Sequence, residues 1–280
     1  MAEITPKLIA TLREMTNAGM MDCKKMLIET QGDINAAVDL LRKRGIATAA
    51  KKSLREAREG VIVQHIQPGS RVGVLVEVNC ETDFVAKNDS FRAFCDTVAK
   101  TLANDPKADL EATRVAQVAK TGENIRVARH QRIEVQGNGI VAAYIHTGSK
   151  IGVLVEVGAG QAATVEKDDF KQLVRDITLQ IAAANPIAVS RDQVDPAVIA
   201  KEREIGAEQV KNKPPQAIAK IVEGKLEKFF QTHCLVDQGF VKKNAEITVK
   251  EHVAGVAKQL ADDITIRRFL RFQVGEVVAG

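Results

Sequence analysis

Gly73-Val74-Leu75-Val76-Glu77-Val78 and Gly152-Val153-Leu154-Val155-Glu156-Val157 are one phrase written twice, 79 positions apart. A run of Val and Leu opened by glycine reads as a strand. The same offset continues outward on both sides. Upstream it pairs Gly69-Ser70 with Gly148-Ser149, Arg71 with Lys150, Ile66 with Ile145, and Gly60-Val61-Ile62-Val63 with Gly139-Ile140-Val141-Ala142. Each copy is therefore strand, Gly-Ser turn, strand, the pattern of a β-hairpin. Downstream, Phe91, Phe94, Cys95, Val98 and Leu102 align with Phe170, Leu173, Val174, Ile177 and Ile181. Both sets form the one-sided apolar stripe of an amphipathic helix. Asp89 and Asp168 stand just before these stripes and are the expected N-caps. A hairpin and helix used twice implies an α+β protein, with antiparallel sheets each covered by a helix.

A third strand is expected in each copy. Residues 125–135 are rich in Ile, Val and Arg. Residues 264–274 place Ile264, Ile266, Leu270, Phe272 and Val274 on one face, interrupted by Arg268. The second copy reaches its third strand about 62 residues later than the first. That insertion contains two helical arms, 197–211 and 216–231, separated by Lys213-Pro214-Pro215. Paired prolines end a helix and turn the chain, so the insertion reads as a protruding antiparallel helical hairpin. Ile218, Ile221, Val222, Leu226, Phe229 and Phe230 are its apolar stripe.

The first 55 residues follow another pattern. Leu8, Leu12 and Met15 mark one helix, Asp22 to Glu29 a second, and Gly32-Asp33 opens a third carrying Ile34, Ala37, Val38 and Leu41. The expected organisation is a three-helix bundle with a linker helix over 1–55, a core half-repeat over 56–138 and a second over 139–280. The inserted hairpin lies at 190–235.

Composition removes several classes of function. The chain has 280 residues, 45% apolar and 27% charged, within the range of globular proteins. No apolar run approaches the ~20 residues of a membrane span. The start, Met1-Ala2-Glu3-Ile4, reads as neither signal nor transit peptide, so a cytoplasmic protein is expected. Cys23, Cys80, Cys95 and Cys234 lie far apart with no CxxC, and are expected to be free thiols in the core. Forty basic residues against 36 acidic ones, with 4% aromatics, suit no dedicated nucleic-acid binder. The basic stretch from Arg42 to Arg58 reads as a solvated charged face, as a nucleic-acid patch or as a docking face for an acidic partner.

Motifs for chemistry are missing. There is no GxxxxGK[ST], no GxGxxG after a strand and no GxSxG. The five histidines have no metal-ligand spacing. Asp168-Asp169 and Asp262-Asp263 sit beside helix ends and read as caps. No catalytic residue, metal or cofactor is therefore expected.

The duplication supplies an internal control for one loop. After the second strand, copy one reads Asn79-Cys80-Glu81-Thr82-Asp83-Phe84-Val85-Ala86-Lys87-Asn88. Copy two reads Gly158-Ala159-Gly160-Gln161-Ala162-Ala163-Thr164-Val165-Glu166-Lys167. The scaffold on both sides is kept while the loop is not, so something other than the fold selected Thr82-Asp83-Phe84-Val85. Two readings stay open. Either Phe84 tucks into the local core while Asp83 caps a turn, or both face a partner from a loop on rigid supports.

At these residues the chain resembles the bacterial elongation factor Ts family. Residues 77–87, Glu-Val-Asn-Cys-Glu-Thr-Asp-Phe-Val-Ala-Lys, fit its best-known motif. Residues 12–25, Leu-Arg-Glu-Met-Thr-Asn-Ala-Gly-Met-Met-Asp-Cys-Lys-Lys, fit its N-terminal motif. Met26 stands where the family usually has a small residue. The similarity continues through Gly122-Glu123-Asn124-Ile125 and Val222-Glu223-Gly224 to residues 271–276. The resemblance implies a non-enzymatic guanine-nucleotide exchange factor for the GTPase elongation factor Tu. It implies a bundle like a ubiquitin-associated domain that docks on the GTPase through Arg13, Met20, Met21, Cys23 and Lys24. It also implies that Thr82, Asp83, Phe84 and Val85 act on the partner's Mg²⁺ and phosphate site. A homodimer or 2:2 complex is left open, and neither membrane nor direct nucleic-acid contact is expected. The alternative is a ribosome- or RNA-binding translation factor using Arg42 to Arg58 with Arg267, Arg268 and Arg271. A metabolic enzyme is a third, weaker reading.

Overall fold

The computed structural model describes residues 4–16 and 18–276. Helices α1 (Pro6–Thr16), α2 (Met20–Glu29) and α3 (Ile34–Lys52) come first. Asp33 caps α3 by accepting from the Ala36 amide at 3.0 Å. Leu12, Cys23, Met26, Leu27 and Ala37 form the bundle core, with Leu8, Ile9, Ile34, Val38 and Leu41 packed around it. Met26 is one of these interior residues, so its bulk fills the bundle centre. Helix α3 runs unbroken to Lys52 and carries Gly45 at a buried position, so the expected linker helix is a continuation of the third bundle helix.

The chain then forms β1 (Glu59–Ile66), β2 (Val72–Cys80), α4 (Asp83–Ala86), α5 (Asp89–Asn104), α6 (Glu111–Thr121) and β3 (Arg126–Glu134). The second copy follows as β4 (Gly139–Ile145), β5 (Ile151–Ala159), α7 (Ala162–Val165), α8 (Asp168–Ala184), α9 (Pro196–Glu208), α10 (Pro215–His233), α11 (Val249–Leu260) and β6 (Ile264–Gln273). Two three-stranded antiparallel sheets result, ordered β1-β2-β3 and β4-β5-β6. The fold is α+β, as the duplication implied. The chain divides into two compact units, one of residues 1–63, 76–130 and 274–280, the other of residues 64–75 and 131–273.

In the first unit α5 buries Phe91, Phe94, Cys95, Val98 and Leu102, the stripe read from the sequence. Its N-cap is Asn88, whose side chain accepts from the Ser90 and Phe91 amides, and Asp89 is the first helical residue. Both residue types cap helices well, so the sequence placed the boundary one position late. The second copy repeats the offset: Asp168 begins α8 and Lys167 occupies the cap position without a side-chain bond.

In the second unit β4 and β6 flank β5. Val153, Val155, Val157, Ile140 and Ile266 meet Phe170, Leu173, Val174, Ile177 and Ile181 of α8 in one core. The pairing of β5 with β6 slips between Glu156 and Val157: Val157 faces Ile266, but Glu156 faces Arg268. Arg267 is the extra residue of a β-bulge, and a bulge reverses side-chain parity beyond it. The expected single face of Ile264, Ile266, Leu270 and Phe272 is therefore split. Ile264, Ile266 and Phe269 join the α8 core, whereas Leu270 pairs with Leu154 on the opposite face.

Helices α9 and α10 form the inserted hairpin, each opening with proline in its first turn. Its base is held by Arg191, which meets Glu227 at 2.7 Å and Asp237 at 2.8 Å, and whose guanidinium lies 5.0 Å from the centre of the Phe230 ring.

Candidate functional site

Strand β2 is buried along its whole length and ends at Cys80. The chain must then turn before α5 begins. Thr82 starts the turn: its hydroxyl accepts from the Val85 amide at 3.3 Å, which caps the one-turn helix α4. Ala86 faces inward and is buried. Asp83 accepts from Lys87 Nζ at 2.6 Å, one turn further on. That hydrogen bond holds the Asp83 carboxyl below its ordinary range. The carboxylate is charged and stays at the surface.

Phe84 is left with no inward direction. Its side chain is 81% exposed. The chain has nine phenylalanines, and Phe84 alone is exposed. Phe91, Phe170 and Phe240 are fully buried. Exposing a ring that burial would stabilise by about 1.5–3 kcal/mol is a departure the fold does not need. Of the two open readings of the sequence, the one with Phe84 in the local core is set aside.

The turn is anchored from outside. Gly122 ends α6 in the left-handed conformation at φ 75°, which aims the next residues back at β2. Glu123 then accepts from the Glu81 amide at 2.9 Å, the Thr82 amide at 3.0 Å and the Thr82 hydroxyl at 2.6 Å. In return the Asn124 amide donates to Glu81 at 2.6 Å. The Asn124 side chain donates to the Arg55 carbonyl at 2.7 Å, and Lys52 reaches the Gly122 carbonyl. The sequence reading singled out the Gly-Glu-Asn-Ile stretch but gave Glu123 no task. The available signal was an acid just before the third strand in both copies, Glu123 and Asp262.

The second copy keeps the turn without its ring. Helix α7 carries Ala162 and Ala163 where α4 carries Asp83 and Phe84. Asp262 accepts from the Gln161 amide at 3.0 Å, in the role of Glu123.

In the bundle, Arg13, Met20, Met21 and Lys24 line an open cleft of about 630 Å³, together with Ile9 and Glu14. Met20 and Met21 are 58% and 62% exposed. Cys23 is fully buried among the bundle core residues, so it supports this surface from beneath. All four cysteines are buried free thiols. Burial pushes the Cys234 thiol up to about 11.

Two of the three strand arginines, though partly exposed, are held by a buried carboxylate. Arg267 and Arg268 both donate to Glu156, at 2.9 and 2.8 Å. Among the described residues, no group of three or more His, Cys, Asp or Glu is placed to hold a metal ion. No described helix is long and apolar enough to cross a membrane.

Comparison with known proteins shows the family. Residues 81–276 match the family model for elongation factor TS. An elongation factor Ts of Symbiobacterium thermophilum is 45% identical over 99% of this chain and 93% of its own length. One from Clostridium novyi is 39% identical over 98% and 93%, and one from a Nostoc species 41% over 99% and 94%. The chain is a translation elongation factor. It belongs to the elongation factor Ts family.

Proposed function

We propose that this chain binds the GTPase elongation factor Tu and promotes its release of GDP, without making or breaking a covalent bond. The observation that carries the reading is Phe84: a lone exposed ring beside a charged carboxylate, on a turn fixed by hydrogen bonds at both ends. Thr82 fixes the turn and Val85 is half-buried, so Phe84 and Asp83 are the groups that meet the partner. Phe84 wedges between elements of the GTPase and displaces groups that hold Mg²⁺. Mg²⁺ demands near-octahedral geometry, so a small displacement weakens the ion and then the diphosphate. Binding linkage makes the effect mutual: a partner that loosens GDP is itself loosened by GDP. Every ~1.4 kcal/mol of that coupling changes affinity tenfold.

In this reading the bundle of residues 1–55 docks on the GTPase through Arg13, Met20, Met21 and Lys24. The halves 56–138 and 139–280 form the core that carries Phe84. The hairpin at 190–235 is a coiled-coil arm. The RNA-binding alternative is weakened by the pairing of Arg267 and Arg268 with a buried carboxylate.

Stopped-flow release of fluorescent GDP from the GTPase tests the proposal. Phe84→Ala is expected to slow release roughly ten- to hundredfold at saturating exchange factor, the loss of about 1.4–2.7 kcal/mol of coupling to GDP. Melting temperature and affinity for the nucleotide-free GTPase are expected to stay close to wild type. Release at the wild-type rate with binding intact would sink the proposal.

A further inference from the structure

The geometry points to Glu123 as the positioning residue that fixes the direction of Phe84, although it lies 39 residues further along the chain. The inference rests on the exchange reading above and deepens it. One carboxylate accepts three donors from two consecutive residues, Glu81 N, Thr82 N and Thr82 Oγ1. The third bond does more than hold. By accepting the hydrogen bond that the Thr82 hydroxyl donates, Glu123 turns that oxygen's lone pair toward the Val85 amide, which it caps at 3.3 Å. The orientation of α4 is thus set by Glu123 through Thr82. A helix of four residues has too little hydrogen bonding of its own to persist without such support. The return bond from the Asn124 amide to Glu81 makes the contact two-sided, so the loop cannot swing about a single bond.

The second half shows what this acid does when there is nothing to aim. Asp262 holds the Gln161 amide, and the turn it supports bears Ala162 and Ala163. The anchor is common to both halves and the ring is not. Asp262 is therefore a matched control, because its loss perturbs an equivalent turn that carries no wedge.

The test is made on the full chain with its GTPase. Glu123→Gln keeps the size but replaces one acceptor oxygen with an amide that faces only donors. It is expected to raise hydrogen exchange at residues 82–86 and to slow GDP release about five- to tenfold at saturation, the scale of one lost charge-assisted hydrogen bond. Affinity for the nucleotide-free GTPase should change little, because the docking surface of the bundle is untouched. Thr82→Val, which removes the relayed hydroxyl, should behave like Glu123→Gln, and Thr82→Ser should restore release. The Thr82 pair carries the test if Glu123→Gln does not fold. Asp262→Asn should raise exchange near Gln161 and leave release unchanged. If Phe84→Ala slows release while Glu123→Gln and Thr82→Val do not, Glu123 only stabilises the fold, and the role of Phe84 stands. If Asp262→Asn slows release as much as Glu123→Gln, positioning is likewise overturned in favour of general loosening. If Phe84→Ala itself releases GDP at the wild-type rate, the exchange reading fails, and this inference fails with it.

Discussion

Glu77 and Glu156 hold the same position in the two halves, and each is a buried carboxylate on a central strand gripped by arginine from the third strand. Arg129 Nε meets Glu77 at 2.8 Å; Arg267 and Arg268 meet Glu156 at 2.9 and 2.8 Å. Glu77 is 4% exposed and Glu156 1%. A buried carboxylate is tolerated only where its oxygens are satisfied. Glu77 completes its set with the Asn79 side chain and the Gly275 amide. Glu156 uses the Gln136 amide and a second guanidinium. The bulge at Arg267 makes that second contact feasible, since without it two successive residues would point to opposite faces.

Glu156→Gln should therefore cost more than a surface charge substitution. Removing one partner of a buried ion pair leaves the other uncompensated, but both arginines are partly exposed, so about 2–3 kcal/mol is expected. Burial pushes the Glu156 carboxyl up, and the hydrogen bonds from Arg267 and Arg268 outweigh it, so its pKa ends below the ordinary value. For an acid with a lowered folded pKa, the unfolded state binds more protons as pH falls. The stabilisation is then complete above the unfolded value of about 4.3 and is lost as pH drops through the folded value. Urea unfolding of both proteins at pH 7 and at a series of pH values below 4 checks this. The gap between them should narrow toward acid, and a gap independent of pH would contradict it.

Gly60 and Gly139 are a second equivalent pair, at φ +148° and +153°. A Cβ on Gly60 would strike the backbone of Val78 and Asn79; one on Gly139 would strike that of Val157 and Gly158. Backbone atoms in the middle of a sheet cannot step aside as a flexible side chain can. Alanine at either site is expected to cost roughly 2–4 kcal/mol, combining the strained φ with overpacking. Thermal unfolding should show similar losses for both variants. In contrast, Gly69→Ala has open space around its Cβ and bears only the cost of its positive φ. It should fall well short of either.

The sequence disclosed these elements wherever burial imposes a period. The hairpins show as apolar β-branched runs and α5, α8 and α10 as one-sided stripes, and duplication doubled the signal of the hairpins and of α5 and α8. What it hid depends on contacts between distant residues. The bulge at Arg267 is set by the needs of Glu156, over a hundred positions earlier, so alternation read along β6 alone gave the wrong parity. The one-turn helix α4 is too short for any period. Phe84 is the sharpest case: hydrophobicity alone sends a ring inward, and only the mismatch with Ala163 hinted otherwise. Glu123 was visible as a residue but not as an anchor, because Thr82 lies 41 positions away.

Met20 and Met21 give a prediction separate from the ring. Both are more than half exposed at the start of α2, beside Arg13 and Lys24 on one cleft. Methionine is flexible and polarizable, which suits an adaptable docking surface. Two exposed methionines add nothing to the bundle core, which Leu12, Met26 and Leu27 supply. The double substitution Met20→Ser, Met21→Ser should therefore leave the melting temperature within about 1–2 °C of wild type, as surface changes usually do. If the bundle docks on the GTPase here, burial of both side chains contributes to affinity. Their loss should weaken binding by roughly 2–3 kcal/mol, or about 30- to 150-fold. Calorimetric titration of nucleotide-free GTPase measures the loss. GDP release at saturating exchange factor should stay near the wild-type rate, because Phe84 and its anchor are intact. Unchanged affinity would remove this cleft from the interface. Lower affinity together with slower release at saturation would mean that docking and wedging are one event, not two.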